Sequence, residues 1–491
     1  MENPYNVVPY QSTPFPQAHI NRLATMASLY GMRTPDLDNC RVLEVGCGEG
    51  AHLIPMAMEF PDSQFVGIDT AERPIARAVD AAAELGIENI TFRVADVCNL
   101  AGKPGECDYL IAHGLYSWVS PETQDRILEL CGRVLAATGV AYVSYNAYPA
   151  WHVRDMTRNM VRMHTAGVDD PVEIRNRAIA LLAAIYRSQG PTDPYREAIR
   201  SEMERIMAKD PALCFHDDFG EYNYPIYFSE FIRRAGEHEL QFLSEAESSD
   251  LAHGVELGDE SREALEAVQG VIEREQYYDF LACRGFRRTL LCRAEQTLDR
   301  SLPVERLKTF HYAAALDYAP EMVTSLHSNA PMEFTSQSSF SVTVNQPFVK
   351  AALLELANAW PATRSFDQLI AAASSAIETT PEEAEKMLRE LLLRIHMPGV
   401  LEMSVLPWKY TSVVSERPVA SRLARLQAGR GNRVTSLRHR PVEFEAPLPR
   451  LVLPLLDGSR DLDALSRDLS VARNDVEEAL QELHELGLLE A

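Results

Sequence analysis

Between residues 41 and 145 short, mostly apolar runs alternate with amphipathic stretches. The runs RVLEVG (41–46), QFVGID (64–69), ITFRVA (90–95), CDYLIA (107–112) and GVAYVSY (139–145) read as strands of a buried parallel sheet. AHLIPMAMEF (51–60), ERPIARAVDAAAEL (72–85) and PETQDRILELCGRVL (121–135) read as helices, with Pro121 suited to a first helical turn. Strands alternating with helices predict a doubly wound parallel α/β sheet with right-handed crossovers. A ligand site then belongs at the C-terminal ends of the strands.

After Tyr145 the rhythm changes. Residues 152–210 are polar and helix-rich, broken at Gly167–Pro171 and Gly190–Pro194. The α/β pattern returns with a helix at SEFIRRAGEH (229–238) and strands at LQFLSEA (240–246) and FRRTLLCRA (286–294). Residues 1–149 and 226–298 are therefore expected to form one domain, and 150–225 a helical insertion over its site, as a lid or substrate platform. Residues 299–345 suggest short connecting strands, and 346–491 a C-terminal accessory region. That region holds a weak duplication, FVKAALLELANAWPATRSFDQLIAAA with EKMLRELLLRIHMPGVLEMS, then LPRLVLPLLDGSRDLDALSRDL with ARNDVEEALQELHELGLLEA. Each copy has the outline of a winged helix. The α/β sheet is thus followed by α+β winged-helix-like units.

Composition narrows the class. A chain of 491 residues exceeds one hydrophobic core. It has no run of 18 apolar residues and no signal-peptide pattern at its start, so a cytoplasmic protein without membrane insertion is expected. The eight cysteines are scattered, which suits reduced core thiols rather than metal ligands. A net charge of −24 disfavours nucleic acid and weakly favours a basic partner. Seven arginines between Arg417 and Arg440 run against that balance, and a solvated face is the simplest reading. The acidic helix ARNDVEEALQELHE would read phosphates poorly, so the winged helices are expected to contact protein.

The sharpest motif is VLEVGCGEG at 42–50, between the first strand and its helix. Gly46, Gly48 and Gly50 allow a tight turn and a close ligand approach. An acid just before the first glycine, Glu44, is wrong for a pyrophosphate but right for an ammonium. Asp69 ends the second strand, where a carboxylate can accept both ribose hydroxyls, and Thr70 follows it. Asp96 and Val97 end the third, where a carboxylate can accept an adenine amine. Acids at the first three strand ends resemble the signature of class I methyltransferases, which use S-adenosylmethionine (AdoMet) and release S-adenosylhomocysteine (AdoHcy). Cys47, His113 and Gly114 complete the expected cofactor contacts.

The fourth strand runs into AHGLYSWVS and the fifth into SYNAYPAWH. The Asn/Asp-Pro-Pro-aromatic motif of many amino methyltransferases is absent there. Tyr116 and Trp118 take its place, with Tyr145, Asn146, Tyr148, Trp151 and His152 beside them. Tyr116, Trp118, Asn146 and His113 are the expected catalytic group. Methyl transfer is an in-line displacement, which an aromatic wall aids by alignment and cation–π attraction. An amine desolvated in such a slot loses its proton more easily. An oxygen nucleophile would need a base, for which His113, His152 or His19 could serve.

Several further segments carry a family resemblance: YNVVPYQSTPFPQAHINRLATMASLYGM, AHGLYSWVS, SYNAYPAWHVRDMTRNMVRMH and YYDFLACRGFRRTLLCR. With the loop LEVGCGEGAHL, they resemble bacterial methyltransferases carrying a methyltransferase regulatory domain. The best-known members are rickettsial-type protein-lysine methyltransferases acting on outer-membrane proteins. The resemblance implies that the N-terminal segment, with Tyr5, Tyr10, Gln17 and His19, folds over the cofactor. Three readings stay open: a protein-lysine methyltransferase, a small-molecule O-, N- or C-methyltransferase, and a non-catalytic cofactor-sensing scaffold. A homodimer is compatible with all three.

Overall fold

The computed structural model describes residues 4–490 apart from 8, 9, 11, 101–104, 189–192, 210–213, 215, 221, 248–259, 261, 262, 264, 266, 302, 337–339, 397, 398, 410 and 412. The five expected strands are β1 (Arg41–Val45), β2 (Gln64–Asp69), β3 (Ile90–Val94), β4 (Cys107–Ala112) and β5 (Leu135–Asn146). Two later strands, β6 (Leu240–Glu245) and β7 (Phe286–Arg293), extend the same sheet in the order β3-β2-β1-β4-β5-β7-β6. The first five are parallel, but β7 runs antiparallel to both β5 and β6. The parallel pattern of the first five strands is thus continued by one antiparallel strand, β7, set between β5 and the edge strand β6. The residue pattern of a strand, here FRRTLLCR, does not record the direction in which it pairs, so the sequence of β7 did not reveal its orientation.

Helices cover both faces. On one side lie α1 (Ile20–Leu29), α2 (Leu53–Glu59) and α3 (Glu72–Glu84); on the other, α4 (Pro121–Val134) and, after the insertion, α8 (Phe228–Gly236). The insertion contributes α5 (Trp151–His164), α6 (Pro171–Ser188) and α7 (Pro194–Ala208), with a small core around Val161, Leu182 and Met203. The break expected at Gly190–Pro194 lies mostly outside the described residues. Chain exit and return are tied together: Ile226 N–H donates to Asn146 O at 3.1 Å, and Tyr148 N–H donates to Ile226 O at 3.3 Å. The insertion is therefore rooted at the C-terminal end of β5, where the ligand site belongs.

Helix α9 (Val271–Ala282) braces the far edge. There Arg287 is fully buried, 2.6 Å from Glu245 and 2.8 Å from Asp279. A charge taken out of water survives only when so paired.

One accessory unit shares the sheet's core. It comprises α10 (Pro347–Ala359), α11 (Phe366–Ala376) and α12 (Pro381–His396), and its Phe348 and Leu392 belong to the same apolar cluster as Met26, Phe65 and Tyr109. Helix α1 lies between them, and its Asn21 side chain donates to Leu406 O and accepts from Val405 N–H. Among the expected connecting strands, β8 (His311–Ala313) is hydrogen-bonded between two strands of this unit, β12 (Arg364–Ser365) and β13 (Glu402–Ser404). The others, β9 (Leu316–Asp317), β10 (Met332–Ser336) and β11 (Ser341–Val344), form their own small sheet.

The final unit, with α13 (Arg422–Arg430), α14 (Leu462–Leu469), α15 (Arg473–Glu485) and the hairpin β14 (Arg433–Thr435)–β15 (Pro441–Glu443), has a separate core. Three of the seven arginines in the cluster dock this unit onto the rest of the chain. Arg430 pairs with Glu84 at the end of α3, and Arg438 and Arg440 both reach Glu402. No helix among the described residues is long and apolar enough to cross a membrane.

Candidate active site

The loop after β1 turns through three glycines of positive φ: Gly46 at 78°, Gly48 at 51° and Gly50 at 72°. The amides of Gly46 and Cys47 donate to Ile68 O, which locks the loop onto β2. A Cβ on Gly50 would stand 2.5 Å from the Phe92 ring, so no larger residue fits there. Cys47 is buried below the loop, where desolvation pushes its thiol well up, so it serves as packing and not as a nucleophile.

The three acids stand where the pattern placed them. Asp69 accepts from Gly48 N–H at 2.9 Å through one oxygen and from Ala71 N–H at 2.8 Å through the other. Thr70, next along, is exposed. Asp96 caps the turn Val97–Asn99 by accepting from Cys98 N–H at 2.9 Å. Glu44 is buried, and its Oε2 has no hydrogen-bond partner. Burial, and secondarily the Asp69 charge, push its carboxyl up to about 8. An orphaned carboxylate oxygen beside a glycine loop is fitted for a cationic group, and the ammonium of AdoMet supplies one.

That fit has a measurable consequence. Without ligand Glu44 is mostly protonated at pH 7; a bound ammonium ionises it. AdoMet binding at pH 7 should therefore release nearly one proton, and affinity should rise with pH up to about 8. Calorimetry in two buffers of different ionisation enthalpy measures this, and equal heats in both would contradict it. Glu44→Gln should abolish the release.

Over this floor runs the N-terminal strap. Asn6 accepts from Arg73 N–H at the start of α3. Ser12 Oγ lies 2.9 Å from where a Gly48 Cβ would be. Phe15 packs tilted against His113 with ring centres 3.6 Å apart. Tyr5 stacks on His216 at 4.4 Å, and Tyr10 donates to Asp217 at 3.5 Å. The strap thus spans the ends of β2, β1 and β4, and the insertion's last segment holds it from outside.

His19 departs from expectation. It caps α1 by accepting from Asn21 N–H, its other nitrogen meets Glu59 at 3.1 Å, and Trp408 and His439 flank it. Both ring nitrogens are engaged away from the glycine loop. His113 holds Tyr142 OH at 2.8 Å, and burial drops its pKa to about 3, so it stays neutral and is a poor base. Gly114, at φ 62°, donates to Ser144 Oγ at 2.8 Å, with open space on its Cβ side.

On the acceptor side Tyr116 is also displaced from its expected place in the channel wall. It is fully buried in the core, edge-on to Tyr145 and Phe231, and its hydroxyl has no partner. Trp118, half-buried, meets Trp151 edge-on at 6.2 Å. Asn146 donates from Nδ2 to Asn223 Oδ1 at 2.8 Å. Tyr148 stacks on His152 at 4.1 Å and continues to Tyr227 at 5.2 Å and Phe280 at 5.8 Å beyond it. Phe15, Asn223, Tyr227 and Phe280 were not anticipated. The tyrosine-dense run YNYPIY (222–227) was the available signal for Asn223 and Tyr227, while Phe15 and Phe280 lie in segments that carried the family resemblance.

A glycine loop under acids at three strand ends, on a seven-stranded sheet with one antiparallel strand, defines a class I AdoMet-dependent methyltransferase. The chain matches three families: "Methyltransferase domain" over 42–139, "Predicted methyltransferase regulatory domain" over 210–293, and "PKMT, C-terminal winged helix domain" over 416–485. It belongs to the bacterial methyltransferases that carry this regulatory domain and a PKMT-type winged helix. An uncharacterised protein of Rickettsia prowazekii is 28% identical over 474 residues, covering 94% of this chain and 85% of that one. A second from the same organism is 31% identical over 240 residues, covering 49% of this chain and 96% of that one. The structure of PKMT2 from Rickettsia typhi in complex with AdoHcy superposes with a TM-score of 0.89 at 25% identity, over 98% of this chain and 100% of that one.

Proposed function

We propose that this enzyme transfers the AdoMet methyl group to lysine side chains of protein substrates. The observation that carries this reading is the whole-chain likeness to PKMT2, accessory units included. The acceptor side supports it. Tyr148, His152, Tyr227 and Phe280 form an aromatic surface, with Phe280 49% exposed, beside the end of β5. An extended lysine side chain can lie along such a surface by cation–π contact, worth about 0.5–2 kcal/mol. An amine needs no dedicated base once desolvated. This agrees with a His113 held neutral and occupied.

In this reading the glycine loop, Glu44 and Asp69 hold the cofactor, Asp96 and Val97 border its adenine, and Tyr5, Tyr10 and Phe15 roof it. Bound AdoMet supplies an electrophilic methyl on a sulfonium. The residues around Trp118 and Asn146 orient the amine for in-line attack and exclude water. Helices α5–α7 serve as a substrate platform.

The test incubates the enzyme and methyl-labelled AdoMet with the host proteome and, separately, with its small-molecule extract. Label in protein, mapped by mass spectrometry to lysine Nζ, is the expected result. Label confined to the extract would replace this reading with a small-molecule acceptor. Label on arginine or a carboxylate would refute lysine.

A further inference from the structure

Three buried histidines from distant parts of the chain meet behind the cofactor loop. His52 follows the glycine turn, His19 ends the strap, and His439 sits at the tip of the β14–β15 hairpin of the final unit. Their ring centres are 4.6 Å apart for His52 and His439 and 4.8 Å for His19 and His439. All three are at most 3% exposed.

The hydrogen bonds set the tautomers. His52 Nε2 lies 3.3 Å from Ala18 O, a carbonyl that only accepts, so that nitrogen carries the proton. His52 Nδ1 is then an acceptor, and two donors converge on it: Phe15 N–H at 3.2 Å and His439 Nε2 at 2.7 Å. His439 is therefore the donor through Nε2–H. Burial holds both rings neutral, well below the usual histidine range, which this pattern requires. The strap is thus pinned at Phe15 and Ala18 by a ring whose orientation His439 fixes. Phe15 is the residue that packs tilted against His113 at the end of β4.

His439 also has φ 56°, a left-handed backbone that a non-glycine residue rarely adopts. The hairpin tip adopts it where it presents the ring to His52.

We propose that His439 is a positioning residue for cofactor retention, acting through His52 to hold the strap closed over AdoMet. The winged helix would then set how long AdoMet or AdoHcy stays bound, without touching either. This rests on the strap roofing the cofactor and does not depend on which acceptor is methylated.

The test uses full-length protein and labelled AdoHcy, with dissociation followed by chase. His439→Gly keeps the left-handed tip comfortable and deletes the ring with its bond to His52 and its packing on His19. Losing one buried hydrogen bond should speed AdoHcy release about fivefold to tenfold, with the association rate little changed; the cavity left by the ring should lower the urea midpoint while unfolding stays cooperative. His439→Gln, whose amide can reach His52, should restore most of the slow release. Arg430→Ala, which removes a different contact of the same unit with Glu84, should leave release unchanged. A second readout is chymotryptic cleavage after Tyr10 with AdoHcy present, which should rise in His439→Gly alone. Wild-type release from a folded His439→Gly protein would overturn the proposal. So would equal acceleration in Arg430→Ala, since that would reflect general loosening between units. Should His439→Gly lose its cooperative unfolding, the Gln and Arg430→Ala pair decides. Gln releasing no more slowly than Arg430→Ala, with both faster than wild type, would also overturn it.

Discussion

Asp69→Ala should weaken AdoMet and AdoHcy binding by about 2–4 kcal/mol, roughly 30-fold to 1,000-fold in Kd. Backbone amides of Gly48 and Ala71, at 2.9 and 2.8 Å, and of Thr70 orient the carboxylate. Its remaining acceptor capacity suits the ribose. Alanine would therefore lose the ribose contacts and leave the Gly48 amide without its partner, so the loop loosens as well. Asp69→Asn keeps one acceptor oxygen and should lose less. Burial raises the Asp69 carboxyl while backbone amides pull it back, so the charge is not itself what holds the fold. Calorimetry on folded protein decides the matter. Unchanged AdoHcy affinity in Asp69→Ala would remove the carboxylate from the site, and a nicotinamide nucleotide should show no binding heat.

The largest stability effect is expected at Tyr116. The ring is fully buried between Tyr145 and Phe231, so Tyr116→Ala should cost about 3–5 kcal/mol through the cavity it leaves. Tyr116→Phe tests the hydroxyl alone. That oxygen is buried with no partner, so its removal should be neutral or stabilising by up to about 1 kcal/mol. Urea unfolding reads both variants. Methyl transfer per folded molecule should survive in Tyr116→Phe. A large loss of turnover there with an unshifted urea midpoint would return Tyr116 to the channel wall that its place after Gly114 suggested.

Local signals determined the cofactor half of this enzyme. Strand, glycine turn and helix are contiguous in RVLEVGCGEGAHL. Each acid lies at the end of its own strand, so spacing along the chain equals position in the sheet. Parallel β1–β5 bring those ends to one edge by a rule of handedness, which makes Glu44, Asp69 and Asp96 neighbours before any packing is known. The helical insertion and the winged-helix outline were legible for the same reason, as changes of period along one stretch.

Tertiary structure alone decided the rest, because it depends on which distant surfaces meet. Tyr116 and Trp118 are two residues apart, yet one faces the core and the other Trp151. A short helical turn between β4 and α4 separates them, and no periodicity in AHGLYSWVS reveals its phase. His19 was read with the strap, but Glu59 and Trp408 claim its ring. Asn146 finds its partner in Asn223 across the whole insertion, and His52 finds His439 387 positions away. The antiparallel direction of β7 leaves no trace in its own residue pattern. Burial and chain reversal are set by the free energy of the assembled core, and a linear pattern records only which residues prefer to be inside.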